Sequence, residues 1–336
     1  MKKLTAEQFT AAKREKLMDY KVYSNNFDLT NRGLEIWSPS HGKDAAQLEK
    51  IPLPNFRAAT QQSAQSRLEM LTRAYSAGHH LSELRSYYPT VLADWERYAY
   101  YSKKFNESDA GKSTCAAHIP LKDLAFSYAN RLVAFGILLG WKNLLYKIPS
   151  LIDYNNPDKD GMLERLLAQY VDDRNSFPDE CTRHLPYYRT LKIFSTLPEE
   201  RAALMDEYLA TWYEGSRREP YFGSHKRGDA FQGYWSWEAG AITVALSIDD
   251  QTYRHAEFYP ADLVAFARDS EFTYAPEGYP LQTQGELRAK AGDPCPKAGR
   301  WQSLETTPET IYVNVAETMP DRNAKYGLTV WRFLDT

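Results

Sequence analysis

The chain has 336 residues, 43% hydrophobic and 25% charged, with a formal net charge of -3 and a pI of about 6.2. That balance excludes a disordered chain and argues against a general nucleic-acid binder, which needs a basic face for its phosphate contacts. Three scattered cysteines, Cys115, Cys181 and Cys295, suit neither a disulfide framework nor a zinc motif, and no apolar run reaches the length of a membrane span.

In chain order, "AEQFTAAKREKLMDYKVY" predicts a first helix, and residues 24–55, with Pro39, Pro52 and Pro54, read as irregular. A helix is expected over Arg57–Tyr75, ended by Gly78. "SYYPTVLADWERYAYYSKKF" predicts another, with Pro89 in its first turn, and "NESDAGKST" an exposed loop. The longest helix is expected next, on the stripe Leu121, Leu124, Ala125, Tyr128, Leu132 and Phe135. Shorter helices follow near 143–151 and 160–171. "STLPEERAALMDEYLATWYEG" carries a capping box of Thr196 and Glu199, with Leu204, Tyr208 and Trp212 on one face. "YWSWEAGAITVALSI" is apolar on nearly every side and predicts a helix in the middle of a bundle, and "YPADLVAFARD" predicts one more. Beyond about Asp269, Pro and Gly accumulate, and "TIYVNVAE" and "GLTVWRFL" read as strands. The expected class is mainly α, a multi-helix bundle with a small β-rich C-terminal module. The expected divisions are a lead-in over 1–55, a helical body over 56–268 and a tail over 269–336.

The stretch "GSHKRGDAFQGYWSWEAGAITVALSIDD" holds the sharpest candidates. A catalytic reading would use His225 as base or metal ligand, Lys226 as anion binder and Glu238 as a second acid. It lacks a ligand set or triad at any recognised spacing. The structural reading puts Glu238 in the first turn of the core helix, with Lys226 or His225 as its partner if it is buried. The adjacent His79 and His80 point to different helix faces, G-K-S-T lacks the earlier glycine of a P-loop, and Cys115 with His118 has no third group. No cofactor or metal is expected. Residues 153–180 carry eight carboxylates against three bases, an acidic segment that could meet a basic partner. Asp172, Asp173, Asp179 and Glu180 are its candidate contacts, extended by Asp249 and Asp250.

These residues resemble a known family. The G-x-H-K element, the G-Y-W-S-W-E-A helix start, the I-D-D turn and Y-P-A-D-L, over 223–263, are similar to the C-terminal signature of PoNi-type immunity proteins. "AYSAGHHLSELRSYYPTVLADWERY" resembles the family's N-terminal segment, and the likeness spans roughly 60–268. "GDPCPKAGRW", "ETMP" and "GLTVWRF" are similar to a tail module of bacterial polymorphic-toxin immunity proteins, with Cys295 as packed turn chemistry. The resemblance implies a cytoplasmic antitoxin. Its partner would be a DNA-degrading toxin of a type VI or contact-dependent secretion system, encoded by the adjacent gene and inhibited by occlusion. On this reading Gly223, His225, Lys226, Tyr234, Trp235 and Glu238 define the fold and are not contacts. The alternatives are a helical adaptor without a toxin partner, or an enzyme using His225, Lys226 and Glu238. The abundant tyrosines leave a homodimer open.

Overall fold

The structure, a computed structural model, describes residues 1–37, 50–172, 174, 177–228, 231–269, 287–303, 309–322 and 329–334. The chain divides into two compact units. The first comprises Met1–Leu139, Lys147–Pro157 and Glu219–Trp235, and the second Gly140–Tyr146, Asp158–Arg218 and Ser236–Thr336.

The first unit is helical. Helix α1 (Ala6–Ala12) opens on a reciprocal capping box between Thr5 and Gln8. Helix α2 (Tyr20–Trp37) packs along α3 (Leu53–Ala77), which pairs in turn with α4 (Leu81–Glu107). The reversal between α3 and α4 needs Gly78: its φ is +96°, and a Cβ there would lie 2.2 Å from the Ala12 carbonyl oxygen. Helices α5 (Asp123–Leu138) and α6 (Ile148–Ile152) complete the unit. Its core includes Leu68, Leu71, Tyr88, Trp95, Leu132 and Phe135, all essentially inaccessible. Tyr88 is satisfied there by donating to the Leu132 carbonyl at 2.7 Å.

Several expectations change. Of the segment 24–55, expected to be irregular, residues 24–37 belong to the helix Tyr20–Trp37, because Tyr23, Phe27 and Leu34 give α2 a buried face despite its asparagines. Pro39 falls outside the described residues. The helix expected first breaks at Lys13, whose backbone amide closes on Phe9. Pro89 lies well inside α4, not in its first turn, and the longest helix is α4 with 27 residues, against 16 for α5. In "NESDAGKST", Asn106 is buried and α4 runs to Glu107.

The second unit carries α7 (Gly161–Leu167), α8 (Thr190–Ser195), α9 (Arg201–Gly215), α10 (Trp237–Ala245) and α11 (Ala261–Asp269). The helix α10 is buried from Trp237 through Thr243, as its all-round apolar character predicts. The capping box expected before α9 does not form: a 3-10 turn spans Pro198–Glu200, and the Thr196 hydroxyl donates to Glu200 at 2.6 Å.

The tail is a four-stranded antiparallel sheet of β1 (Arg288–Lys290), β2 (Gly299–Ser303), β3 (Thr310–Val313) and β4 (Val330–Leu334), in the order β1-β4-β2-β3. Trp301 pairs with Ile311 on one side and Phe333 on the other. Trp301 and Trp331 form a small core with Cys295, Met319 and Val313. Both indole N–H groups are spent on backbone carbonyls, of Lys297 and Pro320. Cys295 is buried and donates to the Lys297 carbonyl, the packed turn role expected of it. The tail lies by the start of α9: Arg201 feels the charge of Asp293, and Lys290 that of Arg201. The Pro- and Gly-rich run 270–286 falls outside the described residues.

Candidate functional site

Each signature residue is held by bonds within its own unit. In the first, His225 sits in a short 3-10 turn, Ser224–Arg227, entered through Gly223 at φ +66°. The Tyr234 hydroxyl accepts from the His225 amide at 3.2 Å and meets its Nδ1 at 2.7 Å. The Tyr234 amide donates to buried Glu15 at 2.9 Å, tying the signature to the loop after α1. Trp235 donates from Nε1 to the Ser76 hydroxyl, which donates onward to the Gln232 carbonyl. Gly233 is required beneath this pair: its φ is +100°, and a Cβ would lie 2.4 Å from Ser76 Oγ. Lys226 is exposed.

In the second unit Glu238 is buried in the first turn of α10. Its Oε1 accepts from Tyr208 Oη, Trp212 Nε1 and Ser236 Oγ, each at 2.7 Å. These donors, not Lys226 or His225, are the partners that sequence reasoning sought. The i, i+4 spacing of Tyr208 and Trp212 on one face of α9 was the available signal. What the sequence did not offer was the separation of 30 and 26 residues from Glu238.

The I-D-D turn and Y-P-A-D-L meet in a second buried network. Asp250 accepts from Arg254 at 2.8 Å and Arg268 at 2.9 Å through one oxygen, and from Tyr259 at 3.1 Å through the other. Burial alone would raise its pKa, but the two guanidinium groups and Tyr259 hold it below the ordinary carboxylate value. Asp250 thus holds the fold, in contrast to the surface role expected of it. Asp249 is exposed and caps the following turn at the Gln251 amide.

The acidic segment is also largely spent internally. Asp160 caps α7, accepting from the amides of Met162 and Leu163, while its other oxygen takes both donors of Thr182. Burial raises its pKa despite these donors. Glu164 and Arg174 form a buried ion pair. Half-buried Asp179 takes Arg165 at 3.2 Å, and Arg165 also donates to the Pro178 carbonyl. Asp172 is half-buried, Glu180 is exposed, and Asp173 falls outside the described residues. Among the described carboxylates expected to form the face, Glu180 and Asp249 are the exposed ones.

A surface the sequence reading passed over lies on α3 and α4. Arg57 stacks over Phe105 at 5.1 Å, Arg97 over Phe56 at 5.4 Å, and Lys104 over Tyr100 at 4.6 Å. Tyr100 is 55% exposed beside Tyr101, and exposed Lys103 completes four cations on a chain of net charge -3. The alternation of aromatic and basic residues in "RYAYYSKKF" was its sequence signal.

Among the described residues there is no cluster of three or more His, Cys, Asp or Glu able to hold a metal, and no helix is long and apolar enough to cross a membrane.

Residues 158–263 match the family described as PoNe immunity proteins (PoNi), C-terminal. The match contains the whole signature, so the PoNi resemblance drawn from the residues holds over this segment. It includes Glu238 with all three of its donors, and Asp250 with Tyr259. The likeness of the N-terminal segment and of the tail module lies outside the matched residues. The fold is similar to that in "The Crystal Structure of Protein PA2201 from Pseudomonas aeruginosa". That alignment has a TM-score of 0.64 and 23% identity, covering 79% of this chain and 96% of that one. No curated protein matches the chain.

Proposed function

We propose that this chain is an immunity protein that binds a cognate PoNe-type nuclease toxin in the cytoplasm and neutralises it by occlusion. The match to the PoNi C-terminal family carries the reading. The chemistry of the signature supports it. His225 is engaged by Tyr234, and Glu238 by three donors, in bonds that hold backbone and helices together. Such groups position a surface; they are not poised to transfer protons to a substrate. Inhibition is therefore stoichiometric and needs no cofactor. The toxin comes from a type VI or contact-dependent system and is encoded by the adjacent gene.

A nuclease cleft is basic because it holds phosphates, so exposed carboxylates are the physically sensible contacts. Exposed Glu180 and Asp249 lead, followed by half-buried Asp172 and Asp179. Expression of the adjacent toxin gene in a sensitive host tests the reading: growth arrest that this protein relieves supports immunity. Arrest that persists at equal expression of both proteins would overturn it.

A further inference from the structure

Three polar atoms in the first unit are buried without a hydrogen-bond partner in the protein. Tyr98, Ser102 and Asn106 recur every four residues and form one stripe of α4. His118 lies over that stripe. Its ring meets Tyr98 edge-on at 6.5 Å and stacks on Tyr154 at 3.9 Å, and Tyr154 Oη is 3.5 Å from Asn106 Nδ2. These contacts set the His118 ring beside the part of α4 that carries Tyr98 and Asn106, the stripe to which Ser102 also belongs. Ser102, Asn106 and His118 are all buried. Ser102 Oγ, Asn106 Oδ1 and His118 Nε2 make no hydrogen bond to the protein.

The remaining bonds fix what each atom offers. His118 Nδ1 faces the Ser150 carbonyl at 3.3 Å. A carbonyl only accepts, so Nδ1 carries the proton and Nε2 of the neutral ring presents a lone pair. Burial, with nearby Lys103 and Arg57, keeps the ring neutral by lowering its pKa. Asn106 donates from Nδ2 to the Ala116 carbonyl at 2.9 Å, so Oδ1 is the free acceptor. The ligand must then donate two hydrogen bonds, to His118 and Asn106, and exchange one with the Ser102 hydroxyl. A cation would meet Lys103 and Arg57 beside the site. An anion would meet two lone pairs. A neutral molecule with two donors and an acceptor satisfies all three groups, and about three hydrogen bonds is the usual complement of a buried water.

We propose that Ser102, Asn106 and His118 bind one ordered water molecule, which fastens α4 to the segments carrying His118 and Tyr154. A crystal structure of the full chain tests this. The expected result is a single uncharged scatterer within hydrogen-bonding distance of Ser102 Oγ, Asn106 Oδ1 and His118 Nε2. A dry contact, or a metal or halide identified by anomalous scattering, would overturn it. In solution, the His118 ring protons should show a cross-relaxation peak to long-lived water, and Nε2 should carry the nitrogen shift of an unprotonated ring nitrogen. Ser102→Ala with Asn106→Leu removes two of the three partners and should abolish the water peak. Its persistence in a folded double variant, or a protonated Nε2 at neutral pH, would sink the assignment.

Discussion

Replacing Glu238 by alanine separates a structural from a catalytic role. The residue is 1% exposed, and its Oε1 receives three donors at 2.7 Å. Truncation leaves Tyr208 Oη, Trp212 Nε1 and Ser236 Oγ buried without their acceptor, at about 1–3 kcal/mol each. The penalties are not additive, and losing the carboxylate recovers part of its own desolvation cost. A net loss on the order of 4 kcal/mol follows. With a urea slope of ~2.5 kcal/mol/M, the midpoint should fall by roughly 1.5 M. Glu238→Gln keeps an oxygen in place but turns charge-assisted bonds into neutral ones, so its loss should be smaller, about 1–2 kcal/mol. Urea denaturation followed by tryptophan fluorescence reads both, since Trp212 and Trp237 flank the site. A Glu238→Ala protein within about 1 kcal/mol of the parent would refute the reasoning.

Gly233→Ala should destabilise by about 2–3 kcal/mol, from a Cβ forced at φ +100° into Ser76 Oγ; thermal melts check it. Lys290, half-buried and near Arg201, has its pKa lowered from 10.5 to about 8, so the unfolded chain binds the extra proton between those values. Stability of the tail-bearing unit should therefore rise from about pH 8 towards 10, and Lys290→Met should flatten that slope in denaturant titrations. His79 is buried between the Tyr23 hydroxyl and Glu83, and burial lowers its pKa below 6.5. Stability of the first unit should fall as pH drops through 6.5, a loss that His79→Gln would reduce. Charge reversal at Glu180 and Asp249 should slow association with the toxin about tenfold at low salt and weaken its salt dependence; stopped-flow fluorescence measures both.

Much of the helical order is legible because a buried stripe at helical spacing is a local property. Gly78 announced the end of α3, and the β-prone runs announced β3 and β4. The helix α2 was not legible: three asparagines and Gly33 lower its propensity, and packing on α3 and on Phe9 of α1 secures it. Thr196-x-x-Glu199 carries the letters of a capping box, yet Pro198 begins a 3-10 turn and passes the contact to Glu200. The strand order of the tail depends on long-range pairing that alternation does not encode. The acidic segment misleads for a related reason. Composition counts carboxylates without their partners, and Arg165, Arg174 and Arg268 reach theirs across 14, 10 and 18 residues.

The most direct test of the immunity reading is co-purification with the toxin encoded beside it, followed by a DNA-cleavage assay as this protein is titrated in. The account predicts a stable complex of fixed composition and a linear loss of cleavage that ends at the stoichiometric point. A toxin that cleaves DNA undiminished in the presence of excess folded protein would contradict it.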